Sequence, residues 1–268
     1  MPASLPLPDT VFLPLAGLLG LALGSFATCA GHRLAEGGSV LSPARSYCPA
    51  CAHPLSWREN IPLLGWLLLG GRCRFCRAPI PARYPLAELF SGLFAVFAGL
   101  AFGPTPHFLA AVAFGTLLLV LSLIDLTTCL LPDMLTLPGA GAAFACSLLL
   151  PPLWTLGIGW ESALAGGLLG GGGLWAIAAL YRRIRGVDGL GLGDAKLMLL
   201  VGALLGPAAV GITLFGGALL SLPAGIVAAR QGGMQARLPF GPFLCAAAAG
   251  YLLGGPWLLH LWLGLPLP

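Results

Sequence analysis

The chain has 268 residues, of which 58% are hydrophobic and only 8% are charged, and its mean hydropathy is +0.94. A soluble domain carries about a quarter of its residues as charges, so this composition excludes a soluble protein and predicts an all-α polytopic membrane protein. The 40 glycines and 24 prolines interrupt apolar segments, which is typical of transmembrane helices and not of disorder, and the net charge of +4 excludes little by itself.

About eight apolar segments follow one another along the chain, each near the roughly 20 residues that a helix needs to cross a bilayer. They cover residues 11–31, 85–102, 108–126, 134–150, 159–181, 194–206, 208–229 and 241–263, and the sixth is short and flanked by glycine. We therefore divide the chain into a first transmembrane helix at 1–31, a polar loop domain at 32–84 and a seven-helix membrane domain at 85–268.

The polar loop domain contains two Cys-x-x-Cys motifs, formed by Cys48 with Cys51 and by Cys73 with Cys76, and 21 residues separate the motifs. This spacing is typical of a structural zinc site in which four thiolates complete a tetrahedron. The loop has too few large apolar residues for a core of its own, so bound zinc would hold it together. A thioredoxin-like redox pair is the alternative, but it needs only one such motif and a βαβ context that the sequence lacks.

The cations are distributed asymmetrically about the predicted spans. If consecutive spans alternate in direction, all thirteen lysines and arginines fall on one side, and the other side carries only Asp9 and Glu161 as charges. Because cytoplasmic loops are enriched in Lys and Arg, we expect the polar loop domain in the cytoplasm and both termini outside. A reducing cytosol also favours metal binding over disulfides for the loop cysteines.

Two aspartates lie at the ends of apolar segments, where an ionised carboxylate is costly. Asp125 ends the segment FLAAVAFGTLLLVLSLID, and Asp194 follows GLGLG and begins another apolar segment. The predicted topology places both acids at the cytoplasmic membrane face. An acid at membrane depth is a functional-site candidate by default, and two acids on separate spans suggest an acid–base pair.

The glycines before the second aspartate, Gly189, Gly191 and Gly193, would let the backbone approach another chain segment closely and adopt φ values that other residues resist. A Rossmann or Walker motif is excluded, because no strand precedes these glycines and a membrane span follows them.

Many segments, in order along most of the chain, resemble those of the type IV prepilin leader peptidases, the bacterial members of the GxGD intramembrane aspartic proteases. The matching segments are 24–26, 32–34, 46–51, 59–62, 71–76, 81–85, 88, 123–125, 131–133, 136–138, 188–197 and 238–243. The resemblance implies that Asp125 and Asp194 are the catalytic pair. It also implies a multi-pass enzyme of the bacterial inner membrane that acts on prepilins and pseudopilins and has no nucleic-acid partner.

Enzymes of this family remove the basic leader of the prepilin at the cytoplasmic membrane face. Many then methylate the new N-terminus with S-adenosylmethionine. The chain departs from the family pattern at Thr28, where Asn is common, and at Gly65, where Ser is common. Both positions lie in the region associated with methylation, so a peptidase without methylation is the alternative function. A proton-coupled transporter is a second alternative, but two acids at one face and the lack of an inverted repeat argue against it.

Three further charged residues are auxiliary candidates. Lys196, two positions after Asp194, either tunes the field at the acids or lies at the membrane interface. Asp133 is expected at the N-terminus of the fourth span, where the helix dipole stabilises an anion, and an auxiliary role in the site comes second. Glu88, early in the second span, is a candidate for binding a cation of the leader or loop, or for the methyl-transfer site.

Overall fold

The computed structural model describes residues 8–40, 45–186, 191–232 and 238–263, and these residues form nine α-helices and no β-strand. The helices are α1 (Asp9–Ala35), α2 (Leu64–Leu68), α3 (Arg83–Phe102), α4 (Pro106–Thr128), α5 (Asp133–Leu149), α6 (Gly159–Gly167), α7 (Leu174–Arg185), α8 (Leu192–Gly232) and α9 (Gly241–Leu263). Five stretches of the described chain are long and apolar enough to cross a membrane: Asp9–Ala35, Arg83–Phe102, Pro106–Thr128, Gly159–Arg185 and Leu192–Ala228. The predicted all-α polytopic class is confirmed, and the number of eight spans stays a prediction.

The predicted break between the sixth and seventh spans coincides with a kink inside α8. Gly206 has φ 83° and ψ 179°, a backbone conformation that is essentially restricted to glycine, and Pro207 follows it without an N–H to donate. Upstream, α6 and α7 are joined by a π-helical segment, Leu168–Gly173, so that the predicted fifth span is one helical run from Gly159 to Arg185.

Small residues bring α1 and α3 into close contact. A Cβ atom added to Gly24 would lie 2.8 Å from the Cα atom of Glu88, and one added to Gly20 would overlap the carbonyl oxygen of Ser91. Helices in membranes associate through such small residues, which let their backbones approach. This contact fixes the position of Glu88 against α1.

The same kind of contact positions α8. Gly166 of α6 and Gly202 of α8 face each other so closely that a Cβ on either would overlap the carbonyl oxygen of the other. The core then fills the space between α4, α8 and α9 with fully buried side chains, among them Leu121, Leu197 and Leu244. Because these residues lie within four positions of Asp125, Asp194 and Gly241, the packed core directly supports the region that carries the two aspartates.

Candidate functional site

The structure brings the two aspartates together. Asp125 lies in the last turn of α4 and is 5% exposed, and Asp194 is the third residue of α8 and is half-buried. Their carboxylates lie within electrostatic reach of each other, and the buried Cys245 of α9 lies within reach of both. Two residues 69 positions apart are therefore close enough to interact, which the predicted topology, with both acids at one membrane face, allows but does not require.

The start of α9 holds Asp125 in place. The backbone N–H of Gly241, the first residue of α9, donates a hydrogen bond of 2.9 Å to Oδ2 of Asp125. The first amides of a helix lack partners within the helix, and the helix N-terminus stabilises an anion. A Cβ at position 241 would lie 2.7 Å from Oδ2 of Asp125, so this contact has no room for a side chain. Segment 238–243 is among those that resemble the family, but its sequence alone did not predict a role in the site. The only indication in the sequence is a glycine at the start of an apolar span.

At the predicted glycines, the absence of a side chain leaves space for neighbouring residues. Gly193 does not have a positive φ, so the expected unusual φ value is not found at this position. A Cβ at Gly191 would lie 3.3 Å from Oδ2 of Asp194, and one at Gly193 would lie 3.1 Å from Cβ of Leu131. The third predicted glycine, Gly189, lies outside the described residues.

Lys196 and Asp133 form an ion pair that was not expected from the sequence. Asp133 begins α5, as expected, and its Oδ1 accepts a hydrogen bond of 2.5 Å from Nζ of Lys196. Lys196 lies two residues after Asp194, so the pair joins the start of α8 to the start of α5. The lysine thus has a defined partner beside the dyad.

The four loop cysteines form a compact cluster. The Sγ atoms of Cys48, Cys51, Cys73 and Cys76 all lie within 4.8 Å of one another, and those of Cys48 and Cys76 are 3.8 Å apart. Zinc–sulfur bonds of about 2.3 Å in a tetrahedron require sulfur atoms about 3.8 Å apart, so the donor set fits zinc.

Both Cys-x-x-Cys turns have the same hydrogen bonds. The Cys48 N–H donates to the His53 carbonyl at 2.9 Å, and the Cys73 N–H donates to the Ala78 carbonyl at the same distance. Each turn then closes with a residue of positive φ, Ala52 or Arg77, whose N–H donates to the carbonyl of the first cysteine. Two equivalent turns thus present two thiols each toward one point.

The thiols of Cys51 and Cys73 in this cluster differ in pKa. Backbone N–H groups of Cys76 and Phe75 lower the pKa of Cys73 to about 7. The N–H of His53 lowers the pKa of Cys51, but desolvation and the neighbouring cysteine sulfurs outweigh it and raise that pKa to about 11. A metal ligand must be a thiolate, and a bound cation would remove the repulsion that disfavours four thiolates together.

A cavity of about 370 Å³ lies between the polar loop domain and the adjoining ends of α1 and α3. Its lining includes Thr28, Cys48, Cys73 and Glu88. Glu88 is buried, and its Oε2 accepts a hydrogen bond of 2.7 Å from the backbone N–H of Leu63. A site of this volume is within the range that binds small molecules.

The two departures from the family pattern have local explanations. The Thr28 hydroxyl donates a hydrogen bond of 2.8 Å to the carbonyl oxygen of Ser25 in its own helix. A Cβ at Gly65 would overlap the carbonyl oxygen of Glu59, so this backbone has no space for serine. Gly65 is therefore required by the loop conformation of this chain.

The cavity and the aspartates lie on opposite sides of α4. Leu126 and Thr127 border a second, small cavity of about 40 Å³. This cavity shares four lining residues with the large one: Thr28, His32, Arg83 and Tyr84. Asp125 instead faces α9. With 100° per residue, Asp125 and Thr127 point about 160° apart around the helix. The chain thus contains two separate candidate sites.

Two protein-family models match this chain, and together they include residues of both candidate sites. The model of the bacterial Peptidase A24 N-terminal domain matches residues 18–102, and that of the Type IV leader peptidase family matches residues 112–227. Proteins named prepilin leader peptidase/N-methyltransferase are similar over most of their length. The one from Burkholderia pseudomallei is 38% identical over 93% of this chain and 87% of its own, and the one from Klebsiella pneumoniae is 43% identical over 77% and 89%.

A third such relative, from Aeromonas hydrophila, is 36% identical over 94% of this chain and 91% of its own. No solved structure matches the chain significantly. The two matched family models together cover the polar loop domain with its cysteines and both aspartates. On the strength of these matches, this multi-pass membrane protein belongs to the type IV leader peptidase family.

Proposed function

We propose that this protein is an intramembrane aspartic endopeptidase that removes the basic leader from type IV prepilins or pseudopilins and then methylates the new N-terminus with S-adenosylmethionine. The convergence of Asp125 and Asp194 at the ends of two spanning helices carries this proposal. Membership of the family supports both activities, whereas nothing in the comparisons supports a transporter.

The proposed catalytic pair works through one shared proton. Two carboxyl groups in one site cannot both ionise cheaply, so one holds a proton while the other is a carboxylate. We assign the carboxylate to Asp125, because the N–H of Gly241 and the N-terminus of α9 stabilise its charge. Asp125 then takes a proton from the water that attacks the scissile carbonyl carbon, and Asp194 donates its proton to the developing oxyanion. Asp125 then passes the proton it took from the water to the leaving amine as the peptide bond breaks, and Asp194 recovers a proton from the gem-diol as it becomes the new carboxyl group.

Replacing Gly241 with alanine tests this assignment. The added Cβ would lie 2.7 Å from Oδ2 of Asp125 and would displace the carboxylate. Because a displacement of about 1 Å at a reacting group can cost about a hundredfold, we expect kcat for leader cleavage to fall roughly 10- to 100-fold with little change in KM. Steady-state kinetics on a purified prepilin measure both constants.

Gly250→Ala provides the matched control in the same helix. A Cβ at Gly250 meets no atom of the described residues within 4 Å, so this variant should keep wild-type kinetics. Wild-type kcat in Gly241→Ala would contradict the positioning role of Gly241.

The localisation follows from the cation distribution. We propose a bacterial inner-membrane protein with domains at 1–31, 32–84 and 85–268, the polar loop domain in the cytoplasm and both termini outside. Three arginines in the last turn of α7, Arg182, Arg183 and Arg185, lie on the same predicted side as those of the polar loop domain. A basic prepilin leader on that side would meet the dyad at the membrane boundary.

We assign zinc to the four loop cysteines and methyl transfer to the large cavity beside them. Zinc at Cys48, Cys51, Cys73 and Cys76 would be structural, because four thiolates leave no open position for a substrate. S-adenosylmethionine supplies a methyl group on a cationic sulfur. The Glu88 carboxylate, buried in the cavity wall, would bind this cation or the amine of the new N-terminus.

Glu88→Gln should separate the two activities. Glutamine can still accept the hydrogen bond from the Leu63 N–H, so the loop stays attached while the negative charge is lost. Because a hydrogen bond to a charged group contributes about 1.5–3 kcal/mol, we expect methylation to slow by at least about tenfold, with cleavage unchanged. Glu161→Gln, at an exposed position on the opposite predicted side, is the charge-matched control. Equal loss of both activities in Glu88→Gln would contradict two separate sites.

The proposed function itself is tested by incubating the purified protein with a prepilin, with and without S-adenosylmethionine, and weighing the products by mass spectrometry. Leader loss under both conditions and an added methyl group only with the donor are the expected results. Cleavage without methylation would support the peptidase-only alternative. No cleavage would overturn the proposal.

A further inference from the structure

The short helix α2 presents an apolar face that the rest of the polar loop domain leaves uncovered. Leu64, Leu67 and Leu68 are 54%, 62% and 80% exposed, and their spacing places them on one face of the helix. The other face is directed inward, since Gly65 is buried and the indole N–H of Trp66 donates a hydrogen bond of 3.0 Å to the Ile80 carbonyl. The exposed leucines are therefore not part of the core of this domain.

The start of α2 is tied to a spanning helix. The Leu63 N–H donates to Oε2 of Glu88, and Leu63 is held at φ 60°, which leucine rarely adopts. Glu88 is five residues beyond Arg83, the first residue of α3, which corresponds to about 7.5 Å along the helix axis. Because α3 crosses the membrane, this contact places α2 at the level where the spanning helix enters the bilayer.

Neighbouring side chains are those of a membrane interface. Trp57 is 72% exposed, and the Arg58 guanidinium lies 5.2 Å from the centre of its ring. Tryptophan is enriched where membrane and water meet, and arginine there pairs with phosphate head groups. The Arg58 guanidinium therefore suits lipid head groups, and the Trp57 ring suits the boundary between head groups and acyl chains.

The charge of the polar loop domain distinguishes between two possible occupants of the apolar face of α2, membrane lipid and the prepilin substrate. The domain at 32–84 contains seven arginines and two glutamates. Acidic phospholipids attract a basic surface of this kind, whereas the basic leader of a prepilin is repelled by it. The charge therefore favours lipid over the substrate.

We propose that α2 and Trp57 anchor the polar loop domain in the cytoplasmic leaflet of the membrane that the protein spans. Leu64, Leu67 and Leu68 insert at the boundary between head groups and acyl chains, as amphipathic interfacial helices do. The anchor holds the cysteine cluster and the large cavity at the membrane surface. It does not depend on the proposed reactions, because it rests on exposed apolar area, depth and charge alone.

A photo-crosslinking experiment tests the anchor in the intact protein. A benzophenone amino acid replaces Leu68, the protein is reconstituted in vesicles of phosphatidylethanolamine and phosphatidylglycerol, and adducts are identified by mass spectrometry after irradiation. We expect phospholipid adducts at position 68. The same probe at Leu100, an exposed residue of α3, provides the positive control, and the protein without the probe gives the background.

Prepilin is added in a parallel arm. Lipid adducts at Leu100 without any at Leu68 would overturn the proposal, as would capture of prepilin in place of lipid at Leu68. Lipid adducts at Leu100 verify that the protein is folded into the bilayer whether or not it cleaves prepilin, so that failure of the anchor and failure of the proposed function are observed separately.

Discussion

Asparagine at either Asp125 or Asp194 is expected to abolish leader removal, with the rate of cleavage falling by about a thousandfold or more. The proposed mechanism needs one carboxylate to accept a proton and one carboxyl group to donate one, and an amide can do neither. General acid–base catalysis by a positioned side chain contributes about 10²- to 10⁴-fold, and both steps depend on the pair. Single-turnover cleavage of a purified prepilin, followed by mass spectrometry, measures the loss.

Asparagine is close in shape to aspartate, so the fold should persist in both variants. The Gly241 N–H can still donate to the side-chain oxygen at position 125. Both variants should continue to methylate a pilin peptide that lacks its leader, because the large cavity lies on the other side of α4. Asp9→Asn, at the first residue of α1, is the control and should cleave normally. Residual cleavage near the wild-type rate in either dyad variant would disprove the assignment.

The placement of the two acids at one membrane face could be predicted because it depends only on span order and direction, whereas their closeness depends on which helices pack together. Once the cations are placed on one side, a span that runs inward ends with Asp125 and a span that runs outward begins with Asp194. The kink at Gly206 was likewise predictable, because glycine followed by proline interrupts an apolar run locally. The two cysteine motifs predicted their own cluster by spacing alone.

The contacts that complete the site could not be predicted in the same way. Gly241 is 116 residues from Asp125, and Lys196 is 63 residues from Asp133. Neither pair follows from periodicity or motif spacing, because each depends on which helices pack together and how far they are rotated. Gly193 was expected to have an unusual φ value, whereas it instead leaves room for the side chain of Leu131, a contact that also depends on which helices pack together.

Loss of one loop cysteine should separate the metal centre and methyl transfer from cleavage. Cys73 is buried, receives hydrogen bonds from two backbone N–H groups and lines the large cavity together with Cys48. In Cys73→Ser we expect bound zinc to fall from one ion per chain to a small fraction, since a structural site needs all four thiolates. Without the metal the two turns separate and the cavity wall moves. Because a displacement of about 1 Å can cost about a hundredfold, methylation should fall by at least that factor.

Cleavage should remain within a few-fold of wild type in Cys73→Ser, because α4 separates the dyad from the cavity and no loop cysteine contributes to the contacts of Asp125. Elemental analysis of the purified protein gives the zinc content, and mass spectrometry of the pilin product reports both activities. Cys146→Ser, in α5 and away from the cluster, should bind zinc and methylate normally. A full zinc content in Cys73→Ser would contradict the four-cysteine site. An equal loss of cleavage and methylation would show instead that the loop domain also holds the dyad or the substrate in place.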